Sequence, residues 1–172
     1  MSMEIKEVVN KQAEPLPPLG VSGLGGWLIF VQMGLFASVA MSVAGIYQSW
    51  DWVFSAQMWE VITTESWEYF HPLLAPTIIF EIVMNLVVGG LSIFALVQMY
   101  RKKSSFPKFI KILYILFAMI QIINYTLYMQ IPLLNEISDM NSSKDMVRSI
   151  LSCLIWIPYF NRSERVQNTF RR

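Results

Sequence analysis

The chain has 172 residues, of which 55% are hydrophobic and only 15% charged. Soluble domains carry about 25% charged residues, so a water-exposed globule of this size has too little polar surface to cover itself, and lipid is the better solvent. A net charge of +1 excludes the concentrated basic face that nucleic-acid binding requires, and a single cysteine, Cys153, excludes an internal disulfide.

In chain order, the first nineteen residues mix Glu4, Lys6, Glu7, Lys11 and Glu14 with a proline-rich exit at Pro15, Pro17 and Pro18. The first apolar run is too long for a cleaved signal and reads as an uncleaved anchor. A helix needs about twenty mostly apolar residues to cross a hydrocarbon core of about 30 Å. Residues 27–47 meet that length without a charge, 73–100 with Glu81 alone, and 109–131 with Lys111 near the start. A fourth run, 143–160, is shorter. Ser142 as its N-cap, with Asp145 in the capping-box position, lengthens it enough to span. The expected fold is therefore an all-α integral membrane four-helix bundle over 23–161, flanked by a tail at 1–22 and a basic tail at 162–172.

The connections set the orientation. Arg101, Lys102, Lys103 and Lys108 crowd the second connection, and Arg162, Arg165, Arg171 and Arg172 the C-terminal tail. The first connection holds Asp51, Glu60, Glu65 and Glu68 with no Lys or Arg, and the third holds Glu136, Asp139 and Asp145 against Lys144. Basic loops remain in the cytoplasm, so both termini are expected there. Trp50, Trp52, Phe54, Trp59, Trp67, Tyr69 and Phe70 enrich the outer first connection. They fit an aromatic belt with an interfacial helix, or a docking surface for a partner. His71, before Pro72, reads as an interfacial polar cap rather than a catalyst.

Polar residues within the spans are the candidate sites. Glu81, Asn85 and Gly89 fall on one stripe of the second span, and Gln121, Asn124 and Tyr128 share a face of the third. Arg148 lies on the fourth, in the outer half. Two arrangements stay open: Glu81 paired with Arg148 and solvated by the amides, or Arg148 reaching outward while a neutral Glu81 bonds an amide. Gly34, Ser38 and Ser42 recur every four residues on the first span, a spacing that lets helix backbones approach, within the bundle or in a homodimer. The basic tail, with Val166 and Phe170 four apart, forms an amphipathic segment for the anionic inner leaflet or a site for a cytoplasmic partner.

Several stretches resemble a known family. Gly23-Leu24-Gly25-Gly26-Trp27-Leu28, Phe80-Glu81, Phe106-Pro107, and the closing Ile155 to Phe160, Ser163 to Val166 and Thr169-Phe170 are similar to a YdgK-like, uncharacterised bacterial inner-membrane group. Glu164 departs from it, standing where a basic residue is expected. The resemblance implies a four-helix plasma-membrane protein and no activity. No Ser/His/Asp or Cys/His constellation, metal-ligand spacing or phosphate loop is present, and Gly20 to Gly26 follows no strand. An enzyme is not expected, nor a cofactor or metal. The expected role is a scaffold, accessory subunit or sensor, with a membrane protein or a second copy as partner. The alternative is a small transporter or channel subunit with a polar path around Glu81.

Overall fold

The computed structural model describes residues 20–67 and 70–171, apart from the side chains of 51–52 and 135–141. The expectations placed on tail 1–19, on Glu68, Tyr69 and Arg172, and on the side chains of Asp51, Trp52, Glu136 and Asp139 lie outside the described residues. Among the described residues six helices follow in order: α1 Trp27–Phe54, α2 Ala56–Thr63, α3 Leu74–Tyr100, α4 Phe106–Gln130, α5 Pro132–Arg162 and α6 Glu164–Thr169. There is no strand among the described residues.

Each boundary has a local cause. Gly26, at φ +64°, turns the chain into α1, and the Ile29 N–H closes its first turn on the Gly26 carbonyl at 3.0 Å. Extended Ser55 separates α1 from α2. His71 starts α3: its Nδ1 accepts from the Leu73 N–H at 3.2 Å and its carbonyl from Leu74 at 2.9 Å. The ring is thus a local polar cap, as its position suggests. Pro76 falls in the first turn of α3, where a missing N–H costs nothing.

The α3 C-terminus is a Schellman turn. Lys102 adopts φ 50°, its N–H bonds the Met99 carbonyl, and the Lys103 N–H bonds that of Gln98, each at 3.0 Å. The Ser105 hydroxyl then donates to Gln98 Oε1 at 2.9 Å. The basic connection is therefore a tight, internally bonded turn.

The join between α4 and α5 corrects the expected third loop. Proline disfavours helical backbone in the residue before it. Ile131 is accordingly extended, at φ −106° and ψ 107°, and is fully buried. Pro132 itself suits a first helical position, so α5 begins at once and runs for 31 residues. Ser142 lies inside that helix and is not its N-cap.

The long helices form two antiparallel pairs, α1 with α3 and α4 with α5, joined by a lighter seam between α3 and α4. Along most of their length α1 and α5 are not packed together; Trp27 meets Trp156 edge-on at 6.4 Å. Apolar clusters fill both ends. One gathers Leu28, Val31, Leu35, Met99, Phe106, Ile110 and Phe160 with Val166 and Phe170 of the C-terminal segment. The other gathers Ile62 of α2, Leu74, Ile78 and Ile131. Phe30, Phe36, Leu86, Ile93, Ile112 and Leu154 point outward and are about half exposed or more.

Candidate functional site

Between the apolar ends, α1 and α3 meet along a polar and small-residue seam. The contact face of α1 runs along 28, 31, 35, 38, 42, 45 and 49, alternating steps of three and four, with half-buried 32, 39, 46 and 53 beside it at the same seven-residue spacing. That 3.5-residue repeat gives left-handed packing at a shallow crossing angle, common in membrane bundles. The Ser38 and Ser92 hydroxyls lie 3.1 Å apart. A Cβ at Gly89 lies 3.1 Å from Ser42 Cβ, and one at Gly45 lies 2.7 Å from Asn85 Nδ2. Nearer the start of α1, Gln32 hydrogen-bonds the Tyr100 hydroxyl.

Ser38, Ser42 and Gly89 lie where the two helices touch, and Asn85 belongs with them because its amide lies on the bare backbone of Gly45. Gly34 does not: a Cβ there meets open space and the residue is exposed. The every-four spacing drifts off the contact face, whereas the alternating three-four spacing stays on it. Continued to Gly45 and Ser49, that alternation was the available signal for the residues the simpler pattern missed.

Glu81 faces the other seam. The Tyr128 hydroxyl donates to Glu81 Oε2 at 3.1 Å, bridging α3 and α4. Asn124, one turn from Tyr128, has a buried Oδ1 with no hydrogen-bond partner, and so does Thr77 Oγ1, one turn from Glu81. Gln121 is half-buried on the same helix.

Arg148 is not Glu81's partner. Its Nη1 lies 3.9 Å from Asp145 Oδ1, with both side chains largely exposed. The reason is helical register. Cys153 Sγ donates to the Tyr114 carbonyl at 3.2 Å, which sets the level of α5 against α4. From there Tyr128 lies about 21 Å toward the hairpin and Arg148 only about 7.5 Å, at 1.5 Å per residue. The hairpin at Ile131 therefore leaves Arg148 roughly 13 Å deeper than Glu81.

At the opposite end the two family-like segments meet. The Gly23 N–H donates to Thr169 Oγ1 at 2.8 Å, and that hydroxyl donates to the Arg165 carbonyl at 2.6 Å. The Arg165 guanidinium lies over the glycine loop: Cβ atoms at Gly25 and Gly26 come within 3.0 Å and 3.3 Å of it. Ser163 caps α6, its Oγ accepting from the Val166 N–H at 3.4 Å. Phe170 packs on Phe106 with ring centroids 4.7 Å apart. Val166 and Phe170 therefore fill the end of the bundle and do not form the apolar face of a surface segment. Arg162 and Arg171 remain exposed.

Trp27–Trp50, Leu74–Tyr100 and Phe106–Gln130 are each long and apolar enough to cross a membrane. An all-α chain with three such helices and outward-facing apolar side chains is a membrane-type helical protein. The chain belongs to the family described as "Protein of unknown function (DUF2569)", whose model matches residues 21–171. That match takes in both the glycine loop and α6. No curated protein and no solved structure matches the chain.

Proposed function

We propose that the chain is a four-span protein of the bacterial cytoplasmic membrane, with both termini inside, that acts as a non-enzymatic scaffold, accessory subunit or sensor for another membrane protein. The contact between Gly23 and Thr169 supports the even span count, because it brings the entrance of α1 and the exit of α5 to one end. With α5 as the fourth span, Lys102, Lys103, Lys108, Arg162 and Arg171 share the inner side. The YdgK-like resemblance agrees with this placement.

The observation that carries the non-transport reading is where the polar side chains go. Ser38, Ser42, Asn85, Ser92 and Glu81 make contacts between helices, in the middle and outer parts of the bundle. The inner end is filled by Leu28, Val31, Leu35, Met99, Phe106, Ile110 and Phe160. A path through one chain needs polar lining in both halves of the membrane, and this inner plug interrupts it. What remains for function is surface: the outer aromatics, including the Trp50–Phe54 stack at 4.1 Å, and the exposed arginines of the tail.

Copurification from native membranes with mass spectrometry tests the proposal. A reproducible membrane-protein partner, lost when Trp50 and Phe54 or Arg162 and Arg171 are replaced, is the expected result. Solute flux in liposomes that Glu81→Gln abolishes would overturn it in favour of a transporter or channel subunit.

A further inference from the structure

Arg148 is an exposed cation at mid-bundle depth. α5 lies along α4 from the hairpin at Ile131, through the Cys153–Tyr114 hydrogen bond, to Phe160 against Phe106 at 6.0 Å. It therefore crosses a membrane wherever α4 does. Counted in opposite directions from Cys153 and Tyr114, Arg148 stands level with Met119 and Lys144 with Ile123. Met119 is next to the midpoint of the apolar span Phe106–Gln130 and is itself exposed. The Arg148 side chain is 80% exposed at that level. The centre of a hydrocarbon core of about 30 Å lies about 15 Å from either headgroup layer, too far for the side chain to snorkel out. An unpaired charge left there is costly.

The surface around Arg148 has the form of a helix-packing face. Lys144, Arg148, Leu151 and Ile155 follow at steps of four, three and four along one open groove of about 550 Å³ that ends at Trp156. The same alternation marks the contact of α1 with α3, and it suits a neighbouring helix at a shallow crossing angle. Leu151 and Ile155 are about half exposed. At Trp156 the groove meets Trp27 of α1, from which α5 is otherwise largely unpacked.

We propose that this face seats a transmembrane helix of another membrane protein that carries one Asp or Glu at mid-membrane depth, its carboxylate on Arg148 and its apolar side chains on Leu151 and Ile155. The inference deepens the accessory reading above and rests on α5 as the fourth span. Charge selects the partner. Lys144 and Arg148 stand against Asp145 alone, so a single added carboxylate neutralises the stripe. Asp145 is 3.9 Å from the guanidinium, too far for a hydrogen bond, which leaves the arginine fork open to a bidentate acceptor. A second copy supplies that acid poorly. Its Glu81 is roughly 13 Å away in depth and already bonded to Tyr128, and its Asp145 arrives with another Lys144 and Arg148.

The probe is a synthetic membrane-spanning Leu/Ala peptide with one Glu at its centre, and a Gln peptide is the control. The central position makes the direction of insertion immaterial. Energy transfer between the labelled peptide and the labelled full chain in liposomes reads association. The Glu peptide should bind roughly 10–100-fold more tightly than the Gln peptide. Arg148→Gln should abolish that preference, and Asp145→Asn should widen it. Lys103→Gln, which removes a cation at the inner end, should leave it unchanged.

Equal binding of the two peptides, or a preference that survives Arg148→Gln, would overturn the proposal. So would a disulfide between two chains carrying Leu151→Cys, in a Cys153→Ser background, that the Glu peptide does not displace, because a second copy then covers the face. Indifference to the peptide's acid ends this inference alone, since a partner held through the outer aromatics or the tail still satisfies the accessory reading. Copurification without any membrane-protein partner ends the accessory reading itself.

Discussion

Glu81 and Tyr128 show how one hydrogen bond settles a solvation problem at the residue scale. A carboxyl group among apolar helices needs a donor. Tyr128 supplies one from the neighbouring helix at 3.1 Å, while Arg148 is held at a different depth. Interhelical hydrogen bonds in membrane proteins average about 0.6 kcal/mol and reach about 1.7 kcal/mol. Tyr128→Phe keeps the ring and removes the donor, so it should destabilise by about 1 kcal/mol and lower Tm by about 2–4 °C in detergent. The check is a double-mutant cycle with Glu81→Gln; fully additive losses would mean that the two residues do not interact. A second residue-scale prediction concerns Lys102. Left-handed backbone costs a side-chain-bearing residue about 1–2 kcal/mol, and Lys102 sits at φ 50° in a turn position that favours glycine. Lys102→Gly should therefore raise Tm by about 2–4 °C per kcal/mol recovered, whereas the same change at Lys103, which lacks that conformation, should bring no gain.

At the scale of elements, the α1–α3 seam is a matter of how near two backbones come. Gly89 and Gly90 are neighbours in sequence with opposite surroundings: a Cβ at Gly89 lies 3.1 Å from Ser42 Cβ, while one at Gly90 meets open space. Gly89→Leu should force the helices apart at a cost of about 1–3 kcal/mol. Gly90→Leu, facing outward, should be neutral or stabilising, because glycine is about 1 kcal/mol poorer than alanine in a helix. Thermal unfolding of both variants reads the difference, and equal losses would place the seam elsewhere.

This seam also marks how far the sequence could be read. The first three spans were legible because about twenty uncharged, apolar residues have few other folds. Ser38 and Ser42 stood out as small residues at helical spacing. Gly34 was misplaced because a four-residue step drifts around a helix, while contact follows alternating threes and fours. The start of α5 was misread because Pro132 looks like a loop residue in isolation, although a first helical position suits it. That eleven-residue difference in the helix start carried Arg148 away from Glu81. Val166 and Phe170, four apart, were equally consistent with burial in a leaflet or against the bundle; only tertiary contacts with Phe106 decide between them.

At the scale of the whole molecule, the two ends of the family-matched region close on each other. Extended Ser163 turns the chain out of α5, and α6 then folds under the bundle so that Thr169 reaches the glycine loop and Arg165 lies over Gly25 and Gly26. A side chain at Gly26 meets two obstacles, a backbone at φ +64° and the guanidinium 3.3 Å away. The loop's glycines therefore act as a surface on which the C-terminal helix rests, and the contact ties the first long helix to the last. It also constrains topology, since segments in hydrogen-bond contact lie on one side of a membrane. With Cys153→Ser as background, single cysteines at Ser22 and Gln167, both exposed, should react with an impermeant maleimide from the same side. A cysteine at exposed Gln57 on α2, one span away, should react from the other. Phe170→Ala should loosen this closure, since truncating a buried phenylalanine costs about 3–5 kcal/mol, and should speed proteolysis at the Gly20–Gly26 loop as well as in the tail. Cleavage confined to the tail would show that the glycine loop holds its place without α6.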